Sequence, residues 1–101
     1  MNEYHYVSYF FGGAFIANAI PHIVSGTLGR PFTTPFATPP GKGLSSPMVN
    51  VLWGSFNLTV SYFLLYKVGT FDLRRTAHAV AAGIGGLLIA MVSACFFERL
   101  H

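Results

Sequence analysis

Three long stretches of the chain carry no charged side chain. No Asp, Glu, Lys or Arg lies between Glu3 and Arg30, between Lys42 and Lys67, or between Arg75 and Glu98. Each stretch exceeds the roughly 18–20 residues that an α-helix needs to cross a hydrocarbon core about 30 Å thick. One Asp or Arg at the centre of such a helix costs about 2.5–3.5 kcal/mol even on insertion scales. The pattern predicts an all-α integral membrane protein with three transmembrane helices, over about 7–28, 48–67 and 77–97, in one membrane domain of residues 1–101.

Between the first two helices, residues 29–47 hold five of the six prolines, with Pro31, Pro35 and Pro39 four apart. Prolines at that density exclude a regular helix. Phe32 and Phe36 make the segment too apolar for a free linker, so it is expected to lie on the membrane surface or fold back over the helix ends. Ser45-Ser46-Pro47 supplies capping hydroxyls and a first-turn proline for the second helix. Tyr4, Tyr6 and Tyr9 suit an interfacial anchor at the start of the first.

Composition agrees with the pattern. Of 101 residues, 9% are charged and 52% hydrophobic, where an ordinary soluble domain has about 25% charged. Mean hydropathy is +0.53. A small soluble domain could not cover its surface with so few polar groups. The net charge of +3 comes mainly from Arg30, Lys67, Arg75 and Arg99, which flank the spans and suit lipid headgroups. No nucleic-acid partner is expected, because there is no basic patch with stacking aromatics on a soluble surface. Basic residues divide three against three between the two sides, so the positive-inside rule assigns no orientation. The MNEYHY start lacks the basic residue of a leader and no A-x-A-like site follows, so the first span reads as retained. The bacterial plasma membrane is the expected location. Cys95 stands alone in the third span and forms no intrachain disulfide.

Polar residues inside the spans are where chemistry would sit. Asn18, His22 and Ser25 share one face of the first helix. Asn50, Gly54, Asn57 and Ser61 share one face of the second. Counted from the loop side at about 1.5 Å per residue, Asn18 falls level with Asn57, His22 with Gly54 and Ser25 with Asn50. The two faces therefore predict a polar seam, with Asn18, His22, Ser25, Asn50 and Asn57 as ligand- or ion-binding candidates. The plain alternative is interhelical glue at about 0.6 kcal/mol per bond. On the third helix, Ala82, Gly86, Ala90 and Ala94 form a small-residue stripe suited to helix packing.

Other chemistry finds little footing. A haem between spans needs two histidines at one depth. His22 lies on the loop side, whereas His78 and His5 lie on the other, so haem is disfavoured and no cofactor is assigned. No carboxylate falls within a span, and no Cys/His metal spacing, Gly-x-Ser-x-Gly elbow or phosphate loop occurs. Gly12-Gly13, the PPG at 39–41, Asn50 and Gly54-Ser55-Phe56 faintly resemble small bacterial fluoride channels. That family has four spans and a Phe-Ser-Thr-Phe type motif, neither of which is present, and the resemblance is not adopted. Three functions follow in order of expectation. The first is an accessory or structural subunit of a larger membrane complex. The second is a homo-oligomeric channel or transporter for a small solute or ion, with its seam centred on His22. The third is a membrane enzyme acting on a lipid or quinone. Catalysis is the least expected of these, since Ser25 and His22 have no carboxylate to orient them.

Overall fold

The computed structural model describes residues 3–40, 42–68 and 71–100. Three helices follow one another: α1 (Glu3–Thr27), α2 (Pro47–Tyr66) and α3 (Thr76–Leu100). All three are long and apolar enough to cross a membrane. The longest dimension is 42 Å, close to the thickness of a bilayer with its headgroups.

Local sequence explains where the helices stop and start. Gly29 has φ of 73°, a left-handed conformation that a side chain would disfavour. With it, Arg30 N–H donates to the Ser25 carbonyl and Gly29 N–H to the Gly26 carbonyl. This is the Schellman arrangement, which closes the last carbonyls of α1. Ser46 caps α2, its hydroxyl accepting from Val49 N–H at 3.2 Å with Pro47 in the first turn. Pro21 lies inside α1, and the helix runs through it.

The helix in the middle is α1. It packs against both α2 and α3, whose own backbones do not come within 8 Å of each other, Cα to Cα, among the described residues. Two glycines permit the close approach to α3. A Cβ on Gly13 would run into the Ala82 carbonyl oxygen, and one on Gly85 into the Phe10 carbonyl oxygen. Gly86 sits over the Gly13 carbonyl. The stripe read from sequence only partly serves this contact. A row of every fourth residue turns about 40° per step around a helix of 3.6 residues per turn. Ala82 and Gly86 therefore lie partly covered, whereas Ala90 and Ala94 have turned outward and are exposed.

The proline-rich segment is held in place. Phe32 and Ser45 form an antiparallel bridge across its base. The Thr34 and Ser45 hydroxyls bond each other, and Phe36 N–H donates to Thr34 Oγ1. Thr33, Thr34 and Ala37 are buried. The Phe32 ring reaches His22 of α1 at 5.3 Å and Phe97 of α3 at 4.8 Å. One loop residue thus joins α1 to the far end of α3.

Candidate functional site

The α1–α2 seam is a ladder of direct hydrogen bonds. Ser8 Oγ donates to the Leu64 carbonyl, and Ser61 Oγ to the Gly12 carbonyl at 2.8 Å. Asn18 Nδ2 donates to Asn57 Oδ1 at 3.0 Å, and His22 Nδ1 lies 2.8 Å from Asn50 Oδ1. The buried residues of α2 are Asn50, Gly54, Asn57, Ser61 and Leu65. At about 0.6 kcal/mol per interhelical bond, the four rungs contribute roughly 2–3 kcal/mol.

Asn18 and Asn57 meet at the level counted from the sequence. The next pair is displaced by one turn. His22 bonds Asn50, and Gly54 lies instead against Ala19 and Ile23, where a Cβ would strike the Ile23 side chain. Ser25 leaves the seam. Its hydroxyl donates to the Arg30 carbonyl at 2.9 Å, as part of the turn that ends α1. Four of the five candidate residues are therefore brought together in pairs, and the fifth caps a helix.

Asn50 is the most connected of them. Its Nδ2 lies 3.0 Å from the Phe32 carbonyl, 3.2 Å from that of Ser45 and 3.0 Å from that of Ser46. One fully buried amide therefore ties α2 to its own N-cap, to both strands of the loop base and to α1. Asn57 also back-bonds to the Trp53 carbonyl at 2.8 Å. Asn18 is half-buried, and its amide oxygen takes no hydrogen bond among the described residues.

Two apolar hollows open on the helix surfaces. One, of about 310 Å³, is lined by Phe36, Val49, Leu52, Trp53 and Phe56. Another, of about 220 Å³, lies between α1 and α3, with Asn18 among Phe10, Phe11, Ala14, Phe15 and Ile89.

A second polar cluster lies at the opposite end, where the tyrosine anchors and the histidines His5 and His78 were expected. Tyr9 and His78 are both 0% exposed, their rings 4.7 Å apart between Tyr6 and Phe71. His78 Nδ1 accepts from Asp72 N–H at 2.9 Å, which holds the connector against the start of α3. Tyr9 Oη and His78 Nε2 are buried without a hydrogen-bond partner among the described residues. Both nitrogens of His78 are thus closed to an outside ligand. The sequence placed Tyr6, Tyr9 and His78 on one side of the membrane, but the contacts of Tyr9 to Phe71 and His78 are non-local and carry no periodic signal. Among the described residues no group of three His, Cys, Asp or Glu side chains could hold a metal ion. Cys95 is exposed on α3.

Compared with protein-family models, with curated protein sequences and with solved structures, the chain matches none.

Proposed function

We propose that the chain is an integral membrane protein whose three helices cross the bilayer, and that it serves as a small structural subunit of a larger membrane assembly. The observation that carries this reading is the free surface of α3. One strip of α3 covers α1, and Val80, Ile84, Leu87, Leu88, Met91 and Val92 remain exposed. Gly83, Ala90 and Ala94 lie exposed beside them and share one face. Small residues let helix backbones approach closely in lipid, where van der Waals packing drives association. The seam supports the same reading, since its amides, hydroxyls and imidazole are largely spent on one another.

The test is to replace Ala90 and Ala94 together with Leu. Helix content is expected to stay unchanged while subunits that co-purify in fixed stoichiometry are lost. Unchanged co-purification would overturn the role given to α3. A homo-oligomeric channel is the second reading. It is favoured by Asn18, whose unused amide oxygen lies in a residue lining the α1–α3 hollow.

A further inference from the structure

Asn18 keeps hydrogen-bonding capacity that the chain does not spend. Asn57 Nδ2 donates to the Trp53 carbonyl at 2.8 Å, so its Oδ1 is the atom that faces Asn18 and accepts. The atom of Asn18 that meets it at 3.0 Å is therefore the amide nitrogen. One N–H of Asn18 is used there. The other N–H and Oδ1 have no partner among the described residues.

That oxygen is open. The unpartnered side-chain atoms sealed inside the protein are Tyr9 Oη, Thr33 Oγ1 and His78 Nε2, and Asn18 Oδ1 is not one of them. Asn18 also lines the 220 Å³ hollow directly, as the one polar side chain in its wall. It bonds α2 through Asn57 and shares the hollow with Ile89 of α3. It therefore stands on the strip of α1 that its two neighbours leave open between them.

Depth limits what can meet it. Asn18 lies nine residues short of the α1 end at Thr27. That is about 14 Å at 1.5 Å per residue, near the middle of a hydrocarbon core about 30 Å thick. Acyl chains offer no hydrogen-bond donor there, so the donor comes from another protein helix. An amide with an unspent N–H and an unspent oxygen is complementary to a second amide, each donating to the other. Asn50 and Asn57 are the other amides within the spans, and both are 0% exposed, so Asn18 is the one that a second copy can reach. A two-fold axis along the membrane normal sets Asn18 of both copies at one level. A single asparagine fixes register and copy number in coiled coils in the same way.

We infer that two copies of the chain pair in parallel through Asn18, each Asn18 Nδ2–H donating to Oδ1 of the partner's Asn18 at the mouth of the α1–α3 hollow. The pairing goes beyond the functional readings above, and it holds inside a larger assembly as well as outside one.

Cys95 is the only cysteine and is exposed, so a nitroxide attached there reports distances between copies alone. The full chain, labelled at Cys95 and placed in phosphatidylcholine vesicles, is measured by double electron–electron resonance over a series of protein-to-lipid ratios. Expected is one defined distance with the modulation depth of two coupled spins, lost only on dilution or on mixing with excess unlabelled chain. Asn18→Leu should move the dilution midpoint to about five- to tenfold higher protein content, as loss of two interhelical bonds implies. Asn57→Leu breaks only the bond within the chain and should keep the pair. No defined distance in the unmodified chain at any ratio would overturn the pairing, and that result needs no variant to fold. A midpoint unmoved in Asn18→Leu, or a depth of more than two spins, would overturn it too. Loss of a larger co-purifying subunit in Asn18→Leu, with no distance between copies, would give Asn18 to another protein's helix and overturn the pair.

Discussion

Replacing Asn50 with Leu should be the most damaging single change in the seam, and its cost can be worked from the bonds it breaks. The three carbonyls that Asn50 Nδ2 serves keep backbone donors without it. Ser45 N–H donates to the Phe32 carbonyl, Phe32 N–H to that of Ser45, and Asn50 N–H to that of Ser46. Only second lone pairs are lost there, at about 0.6 kcal/mol for each of the two amide hydrogens. The His22 ring is different: with Asn50 Nδ2 against carbonyls, Oδ1 faces His22 and can only accept, so Nδ1–H donates and loses its acceptor while the residue stays buried. An orphaned buried donor costs about 1–3 kcal/mol. The sum is roughly 2–4 kcal/mol. Asn57→Leu provides the comparison. It removes the bond from half-buried Asn18 and the back-bond to the Trp53 carbonyl, so at about 0.6 kcal/mol each roughly 1.2 kcal/mol is expected. The assay is unfolding in mixed micelles, followed by Trp53 emission, with limited proteolysis of residues 30–46 in parallel. Asn50→Leu should lower stability two- to threefold more than Asn57→Leu and release the loop to protease. If Asn57→Leu costs as much, or if the loop stays protected in Asn50→Leu, the latch assigned to Asn50 is wrong.

Two further substitutions test the packing. Gly13→Ala should destabilise by about 1–3 kcal/mol, because its Cβ meets a backbone carbonyl that yields only if α1 and α3 part. Gly83→Ala has nothing within 4 Å and should gain about 0.5–1 kcal/mol from helix propensity, so thermal melts of the pair should move in opposite directions. Tyr9→Phe keeps the aromatic contacts and removes a buried hydroxyl that has no partner among the described residues. It should raise stability by about 1 kcal/mol in the same melt, and a loss of that size would mean that the hydroxyl is bonded after all.

Much of this architecture was legible in the sequence because its signals are local or periodic. Gaps in charge located α1, α2 and α3. The spacing of Asn50, Gly54, Asn57 and Ser61 marked the buried side of α2, since a helix shows the same face at i, i+4, i+7 and i+11. The level of Asn18 with Asn57 came from counting residues. Further along, counting failed. Ser25 lies within reach of the turn made by Gly29, and the Arg30 carbonyl took its hydroxyl. His22 then reached Asn50, one turn beyond the level expected. Within the chain the small-residue stripe serves the α1–α3 contact only in part, because a period of four drifts around a helix of 3.6 residues per turn and carries Ala90 and Ala94 off that contact. Nothing periodic marks the meeting of Tyr9, Phe71 and His78, which depends on how the connector folds. Nor could the sequence show that the Asn50 amide would gather three carbonyls from a loop and a helix cap.

The central claim is that this small chain works as part of something larger. Native mass spectrometry after mild-detergent extraction from the source membrane, without overexpression, tests it most directly. Release in fixed stoichiometry with larger membrane subunits is the predicted result. Release as a pure homo-oligomer or a lone chain would contradict it.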